Sequence, residues 1–268
     1  PLEEDQQHIR NLYDGGVAAF DYAVGKILDE LEQLGIADDT LIVIYADHGE
    51  NLYDNGNLLE HGERFGGGDF ANRIPLIIAD PTQDFARHRV DTLVSSLDIM
   101  PTILSLLNLP IPATVKGRDL LPLMQGGDVE SRPLFAETGL WLGGAPESYA
   151  GSGLDYPSIL SSLTVDPIDG TLVLNPRYER RVIKSKHRQV RTEKFKLIYI
   201  PVPEVEHVEF HLYDVKADPE NQNDLYGLKE HEATAEALKK ELFEWMLEES
   251  GTGLDERLHL VRQYNFFE

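Results

Sequence analysis

The apolar run Leu41 to Ala46 closes on Asp47-His48-Gly49 and is followed, after a polar Gly-rich stretch, by a second apolar run from Arg73 to Ala79. An unbroken run of this kind fits a strand covered on both faces, and such strands belong to the parallel sheets of α/β architectures. Ligands of open α/β sheets sit beyond the carboxyl ends of strands. The Asp47 carboxylate and the His48 imidazole therefore fall where a metal or a tetrahedral anion is held. Neighbouring residues on a strand point to opposite faces, so both groups can meet one ion only because the strand is ending, with Gly49 letting the backbone turn behind them. The plainer alternative is an Asp capping the next turn beside a His bonded to backbone. Carboxylate oxygen suits Ca²⁺, Mg²⁺ or Mn²⁺, whereas imidazole nitrogen tilts toward Mn²⁺ or Zn²⁺.

Upstream, Val17, Phe20, Val24, Ile27, Leu31 and Leu34 recur three and four apart, predicting an amphipathic helix over 9–34 with Gly35 as its stop. Gly15-Gly16 near its start lowers helix propensity and signals a break or a close approach. Downstream, a helix is expected from about Asp98, with Pro101 in its first turn, Ile99, Ile103, Leu106 and Leu107 as its buried stripe, and Pro110 and Pro112 ending it. A composition shift at Gln125 to Asp128 suggests two parts, 1–127 and 128–268. In the second part, Leu134 to Glu137 reads as a strand and 139–167 as a long loop. Alternating strands then follow at RRVIKSK, HRQVRTE, FKLIYIPV and EFHLYDV, and a helix over about 232–248 closes the pattern.

The formal charge is -23, which repels phosphates and argues against a nucleic-acid or anionic-membrane partner. Zero Cys excludes disulfides. No apolar stretch approaches the roughly 18 residues needed to span a bilayer. Against the acidic background, residues 177–196 hold nine Lys or Arg and only Glu179 and Glu193. Such a run reads as a solvated face, or as an attractive rim for an anionic ester.

In order, the blocks YDGGVAAFDYAVGKILDELEQLG, DDTLIVIYADHGE, EHG, RIPLII, SLDIMPTILSLLNLPIPATVKGRDLLPLM, RQVRTEKFKLIYIP and FHLYDVKADPENQNDL resemble the sulfatase family of the alkaline-phosphatase superfamily. The resemblance covers most of the chain. It implies an α/β fold with a mixed, mostly parallel sheet flanked by helices and a small C-terminal antiparallel sheet packed by one helix. It further implies a metal-dependent hydrolase of sulfate esters in which Asp47 and His48 hold a divalent cation, Ca²⁺ or Mg²⁺ in most sulfatases. His61, in Glu60-His61-Gly62, then contacts the transferred group or protonates the leaving oxygen, as an imidazole can near neutral pH.

Two departures bear on that implication. Members of the family use a nucleophile made from Cys or Ser in a C/S-x-P-x-R motif, and the 268 residues contain none. With the opening Pro1-Leu2-Glu3-Glu4, this leads to the expectation of a fragment whose N-terminal half supplies the formylglycine nucleophile and two further acidic ligands, and which is inactive alone. Many sulfatases also place a Lys shortly after the His61 loop, yet no Lys lies between Lys26 and Lys116. Arg64 is the nearby cation, suited either to fork a tetrahedral oxyanion or to a rim salt bridge. The missing Lys and the Asp-His pair keep open a phosphomonoester, phosphodiester or phosphonate hydrolase, and a non-catalytic binding module is the third reading.

Overall fold

The structure, a computed structural model, describes residues 2–53, 65, 68–83, 85–138, 162–178, 186–202 and 207–248. The chain divides into two compact units. The first comprises Pro1–Leu59 and Phe70–Arg132; the second comprises Glu60–Asp69 and Pro133–Glu268.

The first unit opens with α1, Glu3–Gln33. Its first turn carries Glu3, Glu4 and Asp5, whose charges favour a helix N-terminus, and the Asp5 carboxylate accepts from the Leu2 N–H at 2.9 Å. These acids start the helix six residues before the expected position 9. Gly35 ends it as expected, at φ +70°, while the Ile36 N–H reaches back to the Leu31 carbonyl at 3.1 Å. Gly15 and Gly16 face open space and mark neither a break nor a close approach. No α1 residue is buried, and Phe20 and Ile27 are 57% and 61% exposed.

After a single 3₁₀ turn at Ala37–Asp39, β1 (Ile42–Tyr45) pairs with β2 (Leu76–Ala79) in register Ile42↔Ala79 to Tyr45↔Leu76. The ladder is antiparallel, and so is every ladder among the described residues. The expected mostly parallel arrangement is thus corrected for these strands, within an α/β fold that otherwise stands. Apolar runs report burial and carry no strand direction, and β2 alternates half-buried with exposed residues in the manner of a strand covered on one face.

A 3₁₀ turn at Ser96–Asp98 leads into α2, Ile99–Leu106, and the short α3 follows at Leu121–Met124. Ile99 and Leu106 of the expected stripe are buried, while Leu107 is exposed. The helix stops at Asn108, left-handed at φ +54°, with the Leu109 N–H bonded to the Leu104 carbonyl at 2.8 Å, so the prolines are not its terminator.

Buried Asp98 ties this region together. Its carboxylate accepts from the Ser95 N–H (2.9 Å), the Arg118 N–H (2.7 Å) and Arg118 Nη2 (3.3 Å), while Arg118 also donates to the Glu130 and Leu93 carbonyls. Thr102 Oγ1 donates to the Asp98 carbonyl and accepts from the Leu120 N–H. At Gly117 a Cβ would stand 1.9 Å from the Leu97 carbonyl oxygen, so only glycine lets these two segments approach.

His88 joins the last turn of α3: Nε2 lies 2.8 Å from the Leu123 carbonyl and Nδ1 lies 2.7 Å from the Ala86 carbonyl. Carbonyls only accept, so both bonds require the doubly protonated ring. The Ala86 and Leu123 bonds raise the His88 pKa above the ordinary histidine value against a small opposing effect of burial. A raised folded value means a contribution fully present below about pH 6.5 and lost as pH rises through the higher folded value. The melting temperature of His88→Gln is expected to fall below the parent's at pH 6 and to converge on it as pH rises. A gap constant with pH would contradict the charged linkage.

In the second unit, β3 (Leu134–Glu137), β6 (Arg188–Arg191), β7 (Phe195–Val202) and β8 (His207–Asp214) form an antiparallel sheet in that order. A hairpin of β4 (Leu163–Val165) and β5 (Leu172–Leu174) turns through Gly170 at φ +78°. The closing helix α4, Glu232–Glu248, lays Leu238, Leu242 and Met246 on Leu197, Tyr199 and Leu212. Alternation along β7 turns Ile198 and Ile200 to the opposite face, where Phe65 packs.

Only part of the basic run is the solvated face it resembles in sequence: Lys194 is exposed, whereas others of its described residues are enclosed. Arg188 and Lys196 are fully buried. Arg188 pairs with Glu137 at 3.3 Å, and Lys186 bonds the same carboxylate. Lys196 and Arg191 pair with Asp69 at 3.0 and 2.9 Å.

Candidate metal centre

β1 ends at Tyr45, so Asp47 and His48 lie just past the ladder, free of the alternation that would separate them. The two groups converge: His48 Nε2 lies 3.7 Å from Asp47 Oδ1. The same Oδ1 accepts from the His48 N–H at 3.0 Å, and His48 Nδ1 donates to the Gly49 carbonyl at 2.7 Å. A bond from Nδ1–H to a carbonyl fixes the neutral-ring tautomer that carries its lone pair on Nε2, as ligating histidines require. Asp47 is 88% exposed and His48 41%, so the pair sits on an open surface.

Gly49 matters for a different reason from the expected turn. It is not among the positive-φ glycines. A Cβ there would stand 1.9 Å from the Phe70 carbonyl oxygen and 2.9 Å from that of Arg73, and its N–H bonds the Ala71 carbonyl at 2.8 Å. The absent side chain lets the 70–73 backbone press against the Asp-His corner.

The donor set fits a divalent cation. The 3.7 Å separation lies within reach of two metal–ligand bonds of roughly 2.0–2.2 Å. Two donors are fewer than the roughly four to eight such ions take, and among the described residues no group of three or more candidate ligands assembles. His61 and Arg64 lie outside the described residues; Arg64 directly precedes Phe65, which is 2% exposed. No helix among the described residues is long and apolar enough to cross a membrane.

The sequence reading missed the cluster of Asp69, Arg191 and Lys196. Partners more than 120 positions apart leave no spacing signal. The available clue was a lysine inside an otherwise apolar strand, FKLIYIPV.

Comparison with known proteins bears on both units. Residues 1–109 match the Sulfatase family model, and residues 176–248 match that of N-sulphoglucosamine sulphohydrolase, C-terminal. Steryl-sulfatase of Rattus norvegicus is 33% identical over 134 residues, covering 45% of this chain and 23% of that protein. The ulvan-active sulfatase of Formosa agariphila is 26% identical over 255 residues, covering 95% of this chain and 42% of that protein. The phosphonate monoester hydrolase of Agrobacterium radiobacter shares the fold at a TM-score of 0.67 and 24% identity, over 92% of this chain and 43% of that one. The chain spans less than half the length of each of these relatives. With both family matches falling in the order of the sequence blocks, and one sulfatase relative aligned along 95% of this chain, the chain belongs to the sulfatase family of the alkaline-phosphatase superfamily.

Proposed function

We propose that this chain is the metal-holding portion of a sulfuric ester hydrolase, with Asp47 and His48 as ligands of a divalent cation, Ca²⁺ or Mg²⁺ in the first instance and Mn²⁺ or Zn²⁺ in the second. The observation that carries the reading is the convergence of the two side chains at 3.7 Å past the end of β1, with the imidazole held by the Gly49 carbonyl. A bound cation supplies positive charge against the nonbridging oxygens of an anionic ester. His48 offers Nε2, Asp47 offers carboxylate oxygen, His61 protonates the leaving oxygen and Arg64 offers its fork to the oxyanion.

The nucleophile, a formylglycine by resemblance to the family, comes from residues outside these 268, as do the remaining ligands. Phe20, Val24, Ile27 and Leu31 of α1 line an apolar groove of about 290 Å³ with Ile42 and Ile44 of β1. The 268 residues alone are then expected to give no turnover.

Asp47→Ala in the full-length enzyme is expected to lose at least about 100-fold in metal affinity, since even groups that only support a ligand cost 10–100-fold. Titration calorimetry with Mn²⁺ and hydrolysis of an aryl sulfate both read this. Parent-like affinity together with parent-like turnover would exclude Asp47 as a ligand.

A second reading, hydrolysis of a phosphonate or phosphate ester, is favoured by the Asp-His pair and by the lack of Lys between Lys26 and Lys116. Matched aryl sulfate and aryl phosphonate substrates separate the two, the better kcat/KM identifying the reaction.

A further inference from the structure

We propose that Lys196, Arg191 and Asn221 are positioning residues that hold Phe65, Gly68 and Asp69, which follow His61 and Arg64 in the sequence, on the face of the β3-β6-β7-β8 sheet opposite α4. The catalytic part of this inference rests on the hydrolase reading above; the structural part does not.

The sheet has two differently used faces. Leu197 and Tyr199 pack toward α4, whereas Lys196, Ile198 and Ile200 alternate onto the other side. There the Phe65 ring lies against Ile198 and Ile200. Three residues on, Lys196 Nζ donates to the Gly68 carbonyl at 2.8 Å and to Asp69 Oδ1 at 3.0 Å. Asn221, oriented with its Oδ1 toward the cluster, accepts from Lys196 Nζ at 2.5 Å and from the Gly68 N–H at 3.2 Å. The ammonium has three protons, and three acceptors meet them. Gly68 is thereby pinned through both its N–H and its carbonyl, at a φ of +94° that a side chain would resist.

Arg191 Nε closes the cluster on Asp69 Oδ2 at 2.9 Å. Burial tends to raise the Asp69 pKa, but the charges of Lys196 and Arg191 prevail and hold it below the usual carboxylate value. Burial depresses Lys196, with Asp69 opposing. A fully buried lysine is expensive unless its partners are fixed. Here the partners are two consecutive residues of one segment and an asparagine beside them, an arrangement that fixes where the segment ends. In the sequence Arg64 immediately precedes Phe65, and His61 lies three positions before Arg64.

Hydrogen exchange of the full-length protein tests the anchor. Lys196→Met removes all three donors, and Phe65→Ala removes only the ring. Asn221→Gly removes the amide while suiting the left-handed φ of +54° at that position, and it serves if Lys196→Met fails to fold. Exchange in peptides spanning 60–69 is expected to quicken by at least about tenfold, with peptides from α4 and β8 unchanged. Unchanged exchange at 60–69 in a variant that retains α4 protection would overturn the proposal.

Turnover gives the second arm: kcat falls by about tenfold or more while KM stays within about twofold. A loosened segment with parental kcat and KM would overturn the positioning role without touching the metal assignment. Parental turnover in Asp47→Ala would instead count against the hydrolase reading.

Discussion

Replacing Asp98 by Ala is expected to cost about 3–5 kcal/mol, a large share of the roughly 5–15 kcal/mol that stabilises a typical domain. The reason is what remains behind. Arg118 is 8% exposed, and without Asp98 its guanidinium keeps only the Glu130 and Leu93 carbonyls. Its own backbone N–H and that of Ser95 lose their acceptor as well. The buried charge then stands uncompensated, which costs more than the loss of the attraction itself. Lys26 and Asp29 on α1 make the natural control: they lie 3.5 Å apart but are about 60% exposed, so their loss is expected to cost under about 1 kcal/mol. Urea unfolding at constant m-value reads both. A midpoint for Asp98→Ala within the range of the surface pair would refute the argument.

Gly49→Ala is expected to be the other severe lesion, because it strikes stability and site together. A Cβ at 1.9 Å from the Phe70 carbonyl has no flexible side chain to push aside, and the Gly49–Ala71 bond opposes separation of the two segments. Restoring ordinary contact needs a backbone shift on the order of 1.5 Å, with a cost of about 3 kcal/mol or more. The shift also moves the Gly49 carbonyl that orients His48, so metal affinity is expected to fall by about tenfold or more. Gly15→Ala should do the reverse. It faces open space inside α1, where alanine is favoured over glycine by about 0.5–1 kcal/mol. If thermal melting and Mn²⁺ titration of Gly49→Ala match the parent, the close approach does not constrain this corner.

Where local chemistry decides an element, the sequence was a sufficient guide. The three- and four-residue spacing of Leu238, Leu242, Trp245 and Met246 placed α4 where it stands, and Phe195 to Val202 is both the apolar block and the strand. Gly35 terminated α1 because only its φ suits the left-handed cap. Other features depend on partners that no window contains. The direction of β1 against β2 is set by topology, which an apolar run does not encode. The β4–β5 hairpin has strands of three residues, too short to display a period, and its first strand fell within a stretch read as loop. The Asp47 and His48 convergence was legible because adjacency and the end of an apolar run are both local. Lys196 was not, since its charge finds Asp69 127 positions away and is buried there.

The chain visits its second unit twice. Glu60–Asp69 belongs there although both flanking stretches of sequence belong to the first unit, so no single scission of the polypeptide yields two intact bodies. A piece starting at Pro133 would present Ile198, Ile200 and the Lys196 ammonium to water, with neither the Phe65 ring nor the Asp69 carboxylate to cover them. Such a truncation is a recipe for self-association, and a soluble second unit requires the ten-residue excursion to be grafted back.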